Sequence, residues 1–387
     1  MKEIYLDNSA TTPLSPIAKE AILSAMEVYG NPSSLHPVGQ AAHTRIETAR
    51  REIMASLGAR NGEGQLLFTA SGTEANNLAI LGAAYAKPRR RGGRILTTDS
   101  EHPSVDAAMQ ALQADGFEVV RIPTREGVLD LAAFAEALND RVFLVSMMMV
   151  NNESGARYDL SRAFSMAKSK NRDIVTHTDA VQGYLKCKFT PKALGADLVT
   201  VSAHKIHGPK GVGALFVSSD ALRRRDLVPV THGGGQEGGF RSGTENVIGI
   251  SAFGAAAKEG MEQFSSNILR MKELREYACE RLSELPVHLN LPKGESAPHI
   301  LNLTLPDIRS ETMLHALSQS GICISHGSAC SSHSAKHSAA LVAFGLRPEQ
   351  IECSVRISFS SYNTKEDVDA LVIAMSDAIG RLVRVKR

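Results

Sequence analysis

The sequence predicts an α/β protein: a large domain with a mainly parallel seven-stranded sheet, plus a smaller α+β domain. Three observations carry that expectation. Seven short apolar runs alternate with helix-period segments through the first part of the chain, as in a sheet covered by helices on both faces. After Val247 the pattern turns helical for a long stretch. Short strand-like runs then return and end in one amphipathic segment. The change of rhythm places the large domain at 15–260 and the small one at 1–14 together with 261–387.

Residues 17–29 carry Ile17, Ala21, Ile22, Ala25 and Met26 at helical spacing, with Ser15 placed to cap, Pro16 at the first helical position and Gly30 past the end. QLLFT (65–69), RILTT (94–98), FEVVRI (117–122) and VFLVSMMMV (142–150) read as strands, separated by helices near 73–86, 103–115 and 130–138. DIVTHTDA, DLVTV and VGALFV continue the sheet with less helix between them and with mixed pairing. HILNLTL, ICIS and SVRISF read as short strands of the second domain, and 364–383 as its last helix. KPRRRGG (87–93) is the one basic run, and it reads as a solvated loop in preference to a nucleic-acid contact.

Composition narrows the function. The 387 residues are 43% hydrophobic and 22% charged with a formal net charge of +2, which gives no global attraction to nucleic acid or membrane. A small-molecule partner is expected. No run approaches the roughly 18 apolar residues of a membrane helix, and MKEIYLDNSATT lacks the apolar centre of a secretory signal, so the expected compartment is the cytoplasm. Cysteines 187, 279, 323, 330 and 353 are scattered and form no CxxC pair, which argues against a disulfide scaffold and against zinc. No metal is expected.

The stretch VSAHKIHGPKGV (201–212) sets Ser202, His204 and Lys205 directly after the apolar run DLVTV, before glycines that let backbone approach a ligand closely. A lysine at a strand end is usually solvated. One drawn partly into the fold has a lowered pKa and suits Schiff-base chemistry with an aldehyde. If that aldehyde is pyridoxal phosphate (PLP), the chain must also supply a carboxylate for the pyridine nitrogen, a phosphate cradle and a group to lie against the ring. Asp179, in THTDAVQG (176–183), falls at the edge where open α/β sheets collect ligands, although the same residue could cap a helix. Gln182 follows three residues on and could reach the ring hydroxyl. FTASGTEANNLAI runs a strand into Ala70-Ser71-Gly72-Thr73 and then a helix, so Gly72 and Thr73 offer free N–H groups to an anion; an ordinary strand-to-helix turn is the alternative. His102, in DSEHPSV, is a candidate for ring stacking or for a plain helix cap.

YLDNSATTP, SGTEANN, SEHPSV, VNNESG, HTDAVQ, SAHKIHGPKG, FRSGTEN, GSACSS and SVRIS occur in this order across essentially the whole chain. Together they resemble the cysteine desulfurases of the NifS/IscS type, PLP-dependent members of the class V aminotransferases. The resemblance implies a fold-type I PLP-dependent transferase working as a homodimer. It implies that Lys205 binds the cofactor and moves the Cα proton, that His102 stacks on the ring, and that Asp179 pairs with the pyridine nitrogen. Gln182 and Asn152 would sit near the ring oxygen and substrate. Gly72, Thr73, Ser202 and His204 would hold the phosphate, with Thr244 from the neighbouring subunit, and Arg356 would clamp the substrate carboxylate.

The resemblance also implies that the Cys330 thiolate takes sulfur from L-cysteine as a persulfide, leaves L-alanine, and passes the sulfur to an iron-sulfur scaffold or a sulfur carrier for cluster assembly or tRNA thiolation. Cys330 lies in SHGSACSSHSAKHSAALVAFG, a run of small polar residues that reads as a mobile loop over about 325–340. Cys279, Cys323 and Cys353 lie in apolar or helical runs and are expected to be buried; Cys187, between two lysines, could be reactive. The chain departs from the family pattern at His326, where serine is usual, and at Ala335, Lys336 and His337, where Leu-Glu-Pro is common. Its end at RLVRVKR leaves the acceptor protein open. A class V aminotransferase would keep Lys205 and Asp179 without needing Cys330, and a non-catalytic partner-binding subunit would need none of the set.

Overall fold

The computed structural model describes residues 3–326 and 337–382. The seven apolar runs form strands β1 (Gly64–Thr69), β2 (Arg94–Thr98), β3 (Glu118–Ile122), β4 (Val142–Ser146), β5 (Val175–Asp179), β6 (Leu198–Ser202) and β7 (Gly213–Ser218) of one sheet, in the order β1-β7-β6-β5-β4-β2-β3. All neighbours are parallel except those of β7, which runs antiparallel to both β1 and β6. The apolar run 142–150 outlasts its strand: Met147 and Met149 leave the ladder at Ser146 yet stay buried, their N–H groups bonded to the carbonyls of His177 and Asp179.

Alternation along the strands feeds two apolar layers. Leu66, Phe68, Val199, Val201 and Phe216 face a core shared with Ile46, Phe164 and Phe253. Leu67, Ile95, Leu198, Leu215 and Val217 face the helices Gly72–Tyr85 and Pro103–Ala114 through Leu78, Val105 and Met109. The sequence pattern gives no warning of the helix Pro37–Ser56, whose inward positions Gly39, Ala42, Ile46, Ala49 and Ile53 are mostly small. Small residues are what its crossing with helix Val247–Glu262 requires, since a Cβ on Gly254 would stand 2.6 Å from Ala49 Cα.

Helix Pro16–Met26 starts as expected, with Ser15 Oγ accepting from the Ala18 N–H, but it ends before Gly30. Ile17 and Met26 point outward, 46% and 58% exposed, because the alanines Ala18 and Ala25 form the buried side against helix Val247–Glu262. The basic run is also not the solvated loop expected. Arg90 is 4% exposed and its Nη2 lies 2.5 Å from Asp226 Oδ1, which Lys87 Nζ approaches to 2.6 Å. A buried carboxylate needs such partners, and the run supplies two.

A second sheet joins His288–Leu289, Ile300–Thr304 and Ser354–Ser358 in antiparallel order. Leu301, Leu303, Val355 and Ile357 pack there with Leu274, Met313, Leu371 and Met375 from three helices. Leu6 belongs to the same cluster, and Ile4–Tyr5 pairs in parallel with Ile322–Cys323.

Candidate active site

Strand β6 ends at Ser202 and the chain tightens into a short 3-10 turn, Ala203–Lys205. The N-terminal loop closes over that turn. The Thr12 N–H donates to the His204 carbonyl at 2.9 Å, the His207 N–H donates to Thr12 Oγ1 at 2.7 Å, and Lys205 Nζ donates to the carbonyls of Ser9 (2.6 Å) and Ala10 (2.7 Å). Lys205 is thereby aimed into a cavity of about 200 Å³ at the C-terminal edge of the parallel strands.

Asp179, the last residue of β5, enters the same cavity. It is 7% exposed, and its Oδ1 accepts from the Val181 N–H (2.9 Å) while Oδ2 accepts from Asn76 Nδ2 (2.7 Å). No helix starts at Asp179, whose Oδ1 steadies only the turn over 181–186, so the helix-cap alternative does not hold. Asn76 Nδ2 also donates to Ser104 Oγ at 2.9 Å, and Ser104 Oγ lies 2.8 Å from His102 Nδ1. His102 caps helix Pro103–Ala114 through that same Nδ1, which accepts from the Ser104 N–H at 3.1 Å. Capping and lining the cavity are one geometry here. Burial lowers the His102 proton affinity, Lys205 lowers it further and Asp179 raises it. An Nδ1 occupied as an acceptor puts the proton of the neutral ring on Nε2.

At the other end Gly72 opens helix Gly72–Tyr85 behind the Ser71 cap. A Cβ at Gly72 would stand 3.0 Å from Val181 Cγ2 and 3.5 Å from Ser202 Cβ, so backbone meets the cavity directly. Thr73 is exposed and lines the cavity beside it. Ser202 Oγ is buried with no hydrogen-bond partner. His204 Nδ1 lies 3.2 Å from Thr11 Oγ1, and burial, then Lys205, Lys186 and Lys210, push its pKa down to about 3. An unsatisfied hydroxyl, a helix start and several nearby lysines form an anion-binding end.

Arg356, mid-strand in Ser354–Ser358, is 1% exposed; Nη1 donates to the Asn152 carbonyl and Nη2 to Asp7 Oδ1, each at 2.8 Å. Its Nε is unpartnered. Asn152 lines the cavity nearby. Gln182 also lines it, but both ends of its amide are engaged: Nε2 donates to the Ser9 carbonyl at 2.9 Å, and Oε1 lies 3.2 Å from His299 Nε2.

Ten predicted residues therefore share one cavity: Lys205, His102, Gly72, Thr73, Asp179, Gln182, Ser202, His204, Asn152 and Arg356. Thr244 does not join them; it is exposed in the segment before helix Val247–Glu262. Cys330 lies outside the described residues, and Ser325, shortly before it, pairs through its backbone with Arg356. The candidate Cys187 is buried and its thiol is pushed up to about 11, first by burial, which makes it a poor nucleophile. Sequence reasoning missed Asn76 and Ser104. Asn76 stands one helical turn after Gly72 within the quoted motif, a spacing that would have found it.

Residues 4–371 match the family model described as aminotransferase class-V. The cysteine desulfurase IscS of Dictyoglomus turgidum is 38% identical over 387 residues, covering 98% of this chain and 95% of that protein. Among solved structures, a NifS-like protein superposes with a TM-score of 0.90 at 33% identity, covering 98% of this chain and 100% of that one. SspA in complex with cysteine superposes at 0.80 with 30% identity, covering 94% of this chain and 100% of that one. With the full length matched in sequence and in backbone, the chain belongs to the class V aminotransferase family, among its cysteine desulfurases of the NifS/IscS type.

Proposed function

We propose that the protein is a PLP-dependent cysteine desulfurase, converting L-cysteine to L-alanine with a persulfide formed on Cys330. The observation that carries the reading is the convergence of Lys205, Asp179 and the neutral imidazole of His102 on one cavity with an anion-binding end. The donor set fits PLP: the unpartnered Ser202 Oγ and the start of helix Gly72–Tyr85 suit its phosphate, Asp179 its ring nitrogen, and Lys205 its aldehyde. Bound there, PLP supplies an electron sink for the pair released at the substrate carbon. Lys205 takes and returns the proton at substrate Cα, and His102 presents an unprotonated Nδ1 tied to Ser104 and an Nε2 proton. The Arg356 guanidinium orients the substrate carboxylate. The transfer balances: the C–S bond breaks, an S–S bond forms at Cys330 Sγ, and hydrogen replaces sulfur on the alanine carbon.

SspA, solved with cysteine bound, is a relative that accommodates this substrate. Cys330 and the segment about 325–340 belong to the unit formed by 1–14 and 261–387, which sits against the PLP-holding unit 15–260. The active form is a cytoplasmic homodimer in which Thr244 reaches the partner's phosphate site. Leu23, Met26, Tyr29 and Leu35, 66%, 58%, 85% and 90% exposed, are large apolar side chains within one short segment that self-association would cover. The sulfur passes to an acceptor protein, an iron-sulfur scaffold or a sulfur carrier.

Alanine and sulfide release from L-cysteine with a reductant tests the reading. Wild type produces both; Cys330→Ala still changes its cofactor absorbance on adding substrate but releases no sulfide. A variant as active as wild type would show that Cys330 is not the nucleophile and overturn the persulfide route, in favour of aminotransferase or lyase chemistry, of which sulfide release fits only the lyase.

A further inference from the structure

His299 stands just before the strand Ile300–Thr304 and is wholly buried, its carbonyl accepting from the Phe359 N–H at 2.8 Å. Its Nε2 lies 3.2 Å from Gln182 Oε1, and its Nδ1 is buried with no hydrogen-bond partner among the described residues. A buried nitrogen left unpaired is costly. A position that needed only bulk would be filled at less cost by an apolar side chain, so the imidazole is kept here for what its other nitrogen does.

The Ser9 carbonyl decides how the pair is oriented. It can only accept, and it lies 2.9 Å from Gln182 Nε2, so the amide turns its nitrogen to Ser9 and its oxygen to His299. Oε1 can only accept in its turn. The imidazole proton therefore sits on Nε2, an assignment that follows from the network, and Nδ1 is the bare nitrogen. Burial, then Lys186, Arg356, Lys205 and Arg275, holds the proton affinity of His299 well below the ordinary value, so the ring carries that one proton. The terminal torsion of a glutamine is broad, so a single hydrogen bond leaves the amide plane free to turn, whereas contacts at both ends fix it. The two ends are held from different places: Gln182 follows strand β5 of the large sheet, and His299 precedes the central strand of the second sheet. Held in this way, the amide keeps one Nε2 hydrogen for a ligand in the cavity that Gln182 lines.

We propose that His299 is a positioning residue: by donating from Nε2 to Gln182 Oε1, it holds the Gln182 amide with its nitrogen, and not its oxygen, turned to the ring oxygen of the cofactor. The inference rests on the desulfurase reading, which puts PLP in this cavity. The ring oxygen of PLP accepts hydrogen bonds and can carry negative charge, so an N–H there binds it and a carbonyl oxygen repels it. Lys205 Nζ shares the Ser9 carbonyl at 2.6 Å. Movement of the lysine thus disturbs one end of the amide and leaves the His299 end in place.

The test reads the Kd for PLP of the full-length protein stripped of cofactor, beside the Kd for the methyl ether of PLP at its ring hydroxyl. His299→Leu is expected to weaken PLP by about tenfold, and His299→Gln, which keeps a donor near the place of Nε2, to recover most of that loss. In a Gln182→Ala background His299→Leu costs less than about twofold, because the imidazole acts through the amide. A loss of the same size in that background makes His299 a packing residue and overturns the proposal, as does an unchanged Kd in His299→Leu alone. Should His299→Leu not fold, wild type decides: it is expected to bind PLP about tenfold or more tighter than the methyl ether, and equal affinity for the two overturns the proposal. Wild type that binds no PLP overturns the desulfurase reading and the proposal with it, whereas each of the other failures leaves that reading standing.

Discussion

Asp179 is fixed by two donors before any ligand arrives, and one of them, Asn76, also reaches His102 through Ser104. A hydrogen bond to a charged group is worth about 1.5–3 kcal/mol. Asn76→Ala is therefore expected to weaken PLP binding by roughly tenfold or more, read as the Kd of reconstitution, with little change in melting temperature. An unchanged Kd would show that the Val181 N–H alone holds the carboxylate. The residues visible in sequence were those whose chemistry is unusual for their setting: a lysine after an apolar run, an aspartate at a strand end, a histidine before a proline. Asn76, Ser104 and Lys186 were not. Their side chains are ordinary, and only the fold shows that Asn76 bridges two elements or that Lys186, in the polar-looking YLKCKF, is turned inward.

Strand β7 is the element on which the cavity's shape depends most. It runs against its neighbours, and a Cβ at its first residue, Gly213, would come within 2.5 Å of the Ser71 carbonyl carbon, at the turn that opens helix Gly72–Tyr85. Overpacking of this kind costs about 1–3 kcal/mol. Gly213→Ala is expected to lower both the melting temperature and PLP affinity, since the strand and the anion-binding turn must separate; a fall in stability with unchanged affinity would show that the turn does not move. The seven strands were legible because each is a short apolar run bounded by turn residues. Helix Pro37–Ser56 was not, because it packs through alanine and glycine and carries little apolar periodicity. Helix Pro16–Met26 had its start written in Ser15 and Pro16, whereas its buried side was set by the helix it meets.

The whole molecule holds several imidazoles in neutral form. His177 is buried between Ser146 Oγ and Thr200 Oγ1, and burial pushes it to about 3; His204 and His207 are pushed to about 3 and about 4. Their unfolded values lie near 6.5, so from there down to the folded values the unfolded chain binds more protons. Stability is full above about 6.5 and is lost as pH falls through that window. Glu101, raised to about 8 by burial, acts the other way, losing stability as pH rises from its ordinary carboxylate range toward 8. His102 and His299 are lowered as well, and Asp99 and Glu153 are raised with Glu101, so five imidazoles oppose three carboxyls on the acid side. Calorimetry is expected to give a melting temperature several degrees lower at pH 4.5 than at 6.5, and His177→Asn to narrow the gap; a flat profile would mean the histidines stay solvated. The pairing of the N-terminal strand with Ile322–Cys323 bears on biosynthesis. Asp7 meets Arg356 across 349 positions of sequence, Asn8 meets Ser358 across 350, and the carbonyls that steady Lys205 belong to Ser9 and Ala10. A nascent chain can form the large sheet early, but its lysine gains a finished pocket only after nearly the last helix has left the ribosome.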